Sequence, residues 1–183
     1  MKQRSIGTVE EANALEQAVV RSAERALTQI LKLHDPSDAL STLWEMKFRP
    51  VGCDPLDSES PLNVIEQLNQ TFTYIASARA VKVLLELHPK FAPFTLNLGT
   101  VGGSDIESNR LGILACEVFA AVNTSNNQKL KKDLAKVGKT DAKHKYVFFM
   151  CPGFQTCRQP NLERSPSIQV WSVGGAARAL TNP

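Results

Sequence analysis

The sequence has no apolar run long enough to span a bilayer, and no signal-type apolar core follows Met1-Lys2-Gln3-Arg4. The expectation is a cytoplasmic chain with no membrane partner. The four cysteines, Cys53, Cys116, Cys151 and Cys157, include no Cys-x-x-Cys pair. Cys116 and Cys151 lie in strand-like runs, so free thiols are expected rather than zinc ligands or disulfides. His34, His88 and His144 have no ligand spacing. Thr100-Val101-Gly102-Gly103-Ser104 is followed by no Gly-Lys-Ser/Thr, which excludes a phosphate loop. No Ser or Cys sits in a nucleophile elbow. There is no internal repeat and no low-complexity tract.

What is present suits a soluble α/β protein. The chain has 183 residues, 43% hydrophobic and 21% charged, enough for one core with or without a helical extension. The net charge of +3 permits nucleic-acid binding without arguing for it alone. Residues 8–34 read as a helix: Thr8 and Glu11 have capping-box spacing, Ala12, Leu15, Val19, Ala23, Ala26, Ile30 and Leu33 recur at helical intervals, and Asp35-Pro36 stops it. A shorter helix is predicted at 38–46 and an irregular connection at 47–60. Ser60 then reads as the cap of a long helix with Pro61 at its first position, running to His88, with Ile65, Leu68, Phe72, Ile75 and Val83 as its apolar stripe. Domain bounds follow: a helical extension over 1–59 and an α/β core over 60–183.

The most informative stretch is 94–122. Residues 94–98 alternate as a strand, 104–108 are short and polar, and 111–122 form an apolar strand interrupted by one charge, Glu117. Apolar residues fall on both faces of that last strand, as in the centre of a covered sheet. Arg110-Leu111-Gly112 fits a three-residue hairpin loop with Gly in the left-handed third position. This register pairs Glu107 with Ala115 and Asp105 with Glu117. Opposed residues have Cβ atoms roughly 4.5–5.5 Å apart, and like charges there are destabilising. The pair therefore asks for a cation, for which Mg²⁺ suits carboxylate oxygens. A loop one residue longer or shorter would send the two acids to opposite faces. Thr124 or Ser125 then caps a helix to Val137, with Gly138 as its stop. Strands are predicted at 145–151 and 167–173, the latter ended by Gly174-Gly175, and a loop at 154–166. Arg158, Arg164 and Arg178, with Phe154 and Trp171, offer a basic surface with aromatics, and scattered arginines are more often plain surface.

From 60 to 151 the order is helix, three strands, helix, strand. With Gly103-Ser104-Asp105 opening the second strand and Glu117 inside the third, this order resembles the PD-(D/E)xK nuclease superfamily over roughly 60–175. The resemblance implies a restriction-endonuclease-like core (αβββαβ) with a central mixed sheet, and a nuclease that cleaves DNA with Mg²⁺ or Mn²⁺. It implies that Asp105 and Glu117 hold the metal, joined by Glu66 on the first core helix. The family's lysine two residues after the second acid is replaced here by Phe119. The resemblance lets a lysine of the next helix serve, first Lys129, then Lys131 or Lys132. Two other readings stand beside a DNA endonuclease of restriction or mobile-element type: a catalytically silent nuclease fold that binds nucleic acid or protein, and an α/β scaffold whose acids are structural. The N-terminal portion reads first as a helical layer on the core and second as an extension that faces DNA or forms a homodimer.

Overall fold

The computed structural model describes residues 2–33, 38–99 and 102–174. His34, the Asp35-Pro36 stop, Thr100, Val101, Gly175 and Arg178 lie outside the described residues. In chain order the elements are β1 (Lys2–Ile6), α1 (Val9–Leu33), α2 (Ala39–Phe48), β2 (Gly52–Asp54), β3 (Asp57–Leu62), α3 (Val64–Leu87), β4 (Phe94–Leu98), β5 (Ile106–Ser108), β6 (Leu114–Ala120), α4 (Lys129–Gly138), β7 (His144–Met150), β8 (Cys157–Arg158) and β9 (Ile168–Ser172). The chain forms two compact units, one made of Met1–Ala12 with Ala76–Pro183 and the other of Asn13–Ile75. This division differs from the break expected at 59/60. The opening residues pair with β4 from Lys2↔Leu98 to Ile6↔Phe94, and so join the sheet.

The first unit is built on a mixed sheet. Among the described residues its seven strands run in the order β1-β4-β5-β6-β7-β9-β8. β4, β5 and β6 are antiparallel neighbours, whereas β6–β7 and β7–β9 are parallel. β6 is the middle strand, as its two-faced apolar pattern predicts. On one face Ala115 and Phe119 of β6, Val147 and Phe149 of β7, and Ile168 and Val170 of β9 pack with Leu130, Leu134 and Val137 of α4. On the other face Cys116, Val118, Tyr146 and Phe148 are buried. The end of α3 lies on that side: His88 Nε2 is 2.6 Å from Tyr146 Oη. The later part of α3 adds Ala76, Ala80, Val81 and Leu84, all fully buried. The sheet is thus covered by helices on both faces.

Local signals explain most element ends. Thr8 caps α1 as its spacing predicts: Glu11 N–H donates to Thr8 Oγ1 at 3.2 Å, and Gly7 N–H donates back to Glu11 Oε2 at 2.6 Å. Asp38 caps α2, accepting from Ser41 N–H at 2.9 Å. Three starts differ from expectation. β1 carries no alternation strong enough to announce a strand, and pairing with β4 creates it. The stretch predicted irregular at 47–60 holds the hairpin β2–β3, in which Pro61 pairs with Cys53. The long helix therefore starts at Val64, not Pro61. Its capping box is Asn63 with Glu66: Glu66 N–H donates to Asn63 Oδ1 at 2.9 Å and Asn63 N–H to Glu66 Oε2 at 3.3 Å.

That hairpin also resets the phase of the first half of α3. Gln67 Oε1 accepts from Cys53 N–H at 3.0 Å, and Tyr74 Oη donates to Asp54 Oδ2 at 3.2 Å. Val64, Gln67, Thr71 and Tyr74 are buried, while the expected stripe residues Ile65, Leu68 and Phe72 are exposed. Finally, α4 starts at Lys129 rather than at Thr124 or Ser125. Asn127 and Gln128 have φ of +50° and +55°, which breaks the turn begun at Ser125. Gly138 is the last residue of α4, one position inside its expected stop.

Candidate functional site

The hairpin β5–β6 has the register that a three-residue loop predicts: Glu107 pairs with Ala115 and Ile106 with Cys116. Gly112 has φ +73°, the left-handed position expected of it. One residue further along, this register sets Asp105 opposite Glu117. β5 begins at Ile106, so Val118 has no strand partner on that side. The Asp105 carboxylate takes its place: Val118 N–H donates to Asp105 Oδ2 at 2.7 Å.

Glu117 stands mid-strand and is 1% exposed. Its neighbours on the same face, Ala115 and Phe119, belong to the apolar layer under α4. A lone carboxylate there would be costly to bury. Helix α4 supplies the partner: Lys136 Nζ lies 2.7 Å from Glu117 Oε2. Glu117 Oε1 is buried without a partner. A second buried acid, Asp133, is 2% exposed and bound by Lys129 at 2.6 Å through Oδ1, with Oδ2 again unpartnered. Lys129, Asp133 and Lys136 follow one another at i, i+4 and i+7, a single stripe beside Leu130, Leu134 and Val137.

The charges in this group act on one another. Burial raises the Glu117 carboxyl to about 7; Lys136 opposes the rise, and the charges of Asp105 and Asp133 add to it. Burial also raises Asp105, against the Val118 N–H and the charges of Lys136 and Lys129. It raises Asp133 too, against its bond from Lys129. Burial alone would lower Lys136, but Glu117, Asp105 and Asp133 together raise it. Three carboxylates and two ammonium groups thus form one electrostatic unit.

Not every expected site residue belongs to it. Glu66 lies in the other compact unit, in the capping box of α3. Lys129 reaches a buried carboxylate as its long stem allows, but that carboxylate is Asp133. Lys131 and Lys132 are exposed. Phe119 is 3% exposed and stacks on Phe149 with ring centroids 5.9 Å apart, so it is a core residue. Of the expected basic surface, Arg158 is bound by both oxygens of Glu163 at 2.8 and 2.9 Å, and Phe154 turns its edge against Phe149.

Among family models, curated proteins and solved structures, none matches this chain. The site therefore rests on its own geometry. Among the described residues, no three His, Cys, Asp or Glu side chains form a group that could hold a metal ion. A two-carboxylate site is a lesser demand. Mg²⁺ is commonly held by one or two carboxylates, with waters and substrate phosphate completing its shell. Glu117 Oε1 has no hydrogen-bond partner, and the charge of Asp105 acts on the same carboxyl, which is compatible with that need.

Sequence reasoning missed Asp133 and Lys136 as site residues. A signal for Asp133 was there. With Leu130, Leu134 and Val137 as the buried face, position 133 falls in the same phase, and an acid in a core phase asks for a partner. Lys136 carries no such mark, because lysines on both sides of the stripe look alike in one dimension.

Proposed function

We propose that this chain is a Mg²⁺- or Mn²⁺-dependent nuclease that cleaves DNA phosphodiester bonds on a restriction-endonuclease-like core, with Asp105, Glu117 and Lys136 as its central residues. The observation that carries the reading is the 2.7 Å contact of Lys136 Nζ with Glu117. It brings an ammonium from the following helix to the acid whose strand has Phe119 where a lysine would be needed. The order α3, β4, β5, β6, α4, β7, with three antiparallel strands and then a parallel one, supports the same reading.

In this reading Asp105 and Glu117 hold the metal. When bound, the metal lowers the pKa of a coordinated water and neutralises charge on the phosphate. The protein's own residues do the rest. Val118 N–H fixes the Asp105 carboxylate. Lys136 favours the charged form of Glu117 against the effect of burial and, with its side chain 52% exposed, presents an ammonium to developing phosphate charge. Asp133 anchors Lys129, a second ammonium on the same helical stripe.

One observation favours a catalytically silent fold that binds nucleic acid or protein. Glu117 is deeply buried and already bound by Lys136, which is how a purely structural acid is satisfied. A cleavage assay separates the two. Plasmid and single-stranded DNA are incubated with Mg²⁺ or Mn²⁺ and wild type, Glu117→Ala, Lys136→Ala or Lys129→Ala. The nuclease reading expects cleavage that Glu117→Ala abolishes and Lys136→Ala reduces about 100-fold or more, the scale of one lost electrostatic contact to the transition state. Cleavage that survives Glu117→Ala refutes the site. DNA binding without cleavage by wild type selects the silent fold.

A further inference from the structure

On the α4 side of the sheet the side chains change character halfway across. β6, β7 and β9 present Phe119, Val147, Phe149 and Val170 to α4. The pairings Gln3↔Asn97, Ser5↔Thr95, Thr95↔Glu107 and Glu107↔Ala115 put five polar residues of β1, β4 and β5 on the same face as Ala115 of that apolar half. Gln3 and Ser5 are exposed, and Thr95 and Glu107 are half-buried. The polar half is held in place by its own bonds: Gln3 Nε2 donates to Asn97 Oδ1 at 2.9 Å, and Asn97 Nδ2 donates to Ser104 O at 2.8 Å.

The two flanks of α4 differ as well. A Cβ at Gly138 would lie 3.6 Å from Ile168 Cδ1, so that flank faces β9, and Lys131, seven residues earlier, shares it. The opposite flank faces β5. Lys136 reaches Glu117 from it, and the charges of Lys129 and Lys136 act on Asp105. Lys132 follows Lys129 by three residues and precedes Lys136 by four, so it stands between them on this second flank. Lys129 binds Asp133 and Lys136 binds Glu117, whereas Lys132 is exposed.

We infer that the phosphate backbone of a nucleic acid runs along this lysine flank, over the open polar half of the sheet, with Lys132 as a phosphate contact. The choice of a nucleic acid rests on the reading of Asp105 and Glu117 as a phosphodiester-cleaving site. Amide and hydroxyl groups such as those of Gln3, Ser5 and Thr95 bond phosphate and sugar oxygens, which positions a strand without reading its bases. None of the five polar positions holds an aromatic ring on which a base could stack, so backbone contact is the mode this surface suits. The acids at this edge have other roles. Asp133 is bound by Lys129, and Glu107 accepts from Ser104 N–H at 3.2 Å. Asp105 and Glu117 are the metal-holding pair of that reading. The ammonium of Lys132 is left to meet a phosphate, beside the bond to be cleaved.

Fluorescence anisotropy of a labelled DNA duplex, and of the matching single strand, tests this on the full chain with Ca²⁺ in place of Mg²⁺; a gel checks that the DNA stays intact. Lys131 and Lys132 are neighbours in sequence on opposite flanks, so the same substitution at each changes the net charge equally. Lys132→Glu should weaken binding about tenfold or more and Lys131→Glu about twofold or less. Lys132→Ala should lower the slope of log affinity against log salt by about one, and Lys131→Ala should leave it unchanged. Ser5→Glu, on the exposed polar half, should weaken binding about threefold or more. All of these side chains are exposed, so circular dichroism spectra should match wild type. Equal losses at Lys131 and Lys132 overturn the inference, and so does indifference to Ser5→Glu. If such a protein still cleaves DNA in a manner that Glu117→Ala abolishes, the nuclease reading stands without this path. Wild type that binds with the expected Lys132 preference but does not cleave keeps the path and discards the nuclease. A wild type that binds neither DNA overturns the inference, and the cleavage assay then judges the nuclease reading separately.

Discussion

The two compact units break the ordinary distribution of polar and apolar residues in opposite directions. In the sheet unit, Glu117 and Asp133 are carried inside, next to a fully buried layer of Val147, Phe149 and Val170. In the unit Asn13–Ile75, leucines and aromatics are carried outside, and α2 buries none of its residues. Each departure has a cost in an isolated chain. A buried acid needs a partner or a proton, and an exposed apolar face loses the gain of burial. The sheet unit supplies its own remedy through two lysines of α4. Among the described residues of the helical unit, Leu40, Leu43, Trp44 and Phe48 of α2 stay exposed.

The largest expected effects test the contrast directly. Phe149→Ala should lower unfolding free energy by about 3–5 kcal/mol in urea melts, since the ring is fully buried against Phe119 and Phe154. Trp44→Ala should change it by no more than about 0.5 kcal/mol, since its ring is half exposed. A cost at Trp44 comparable to that at Phe149 would mean that α2 is packed in the monomer, and the contrast would fail.

A smaller effect sharpens the account of the buried acid. Lys136→Met keeps the side-chain stem and removes the ammonium from Glu117. The loss should be about 1–3 kcal/mol at pH 8, the cost of leaving a buried carboxylate without its hydrogen bond. It should shrink at pH 5, where Glu117 can take up a proton. A loss equal at both pH values would mean that Glu117 is neutral throughout.

The smallest effect is a slope. The folded chain raises the Glu117 carboxyl from 4.5 to about 7. Between these values the folded state binds more protons than the unfolded one, so stability falls as pH rises. The contribution is complete below about pH 4.5 and lost as pH passes through about 7. Glu117→Gln should remove this part of the decline, read as the difference between the two proteins' melting temperatures across that window. Parallel curves would place the titration on another group.

Much of this was readable in one dimension. The alternation over 94–98 and the apolar run around Glu117 specified strands, and the three-residue turn ending at Gly112 specified their register, because loop length fixes which residues pair across a hairpin. The capping box at Thr8 and the 3.6-residue period after it marked α1. Other features were ambiguous for stated reasons. Ser60-Pro61 and Asn63-x-x-Glu66 are both good helix starts, and the pairing of β2 with β3 chose the second. The stripe Ile65, Leu68 and Phe72 has ideal helical spacing, yet the bonds of Gln67 and Tyr74 to the hairpin turned the opposite side of α3 inward.

The site divides along the same line. The sequence alone determined that Asp105 and Glu117 oppose each other, since side-chain direction along a paired strand follows from counting residues across a turn. It also determined that Phe119 cannot act as a cation. Only the tertiary structure decided which lysine meets which acid. Lys129 and Lys136 stand two turns apart on one stripe, and the choice between them depends on where α4 begins and how far it slides along β6 and β7. The left-handed residues Asn127 and Gln128 and the packing of Leu130, Leu134 and Val137 set that position. A salt bridge is made at about 3 Å, whereas a helix slid by one turn moves a side chain by about 5 Å. The identity of Lys136 as the partner of Glu117 is therefore a property of packing, which local sequence patterns do not encode.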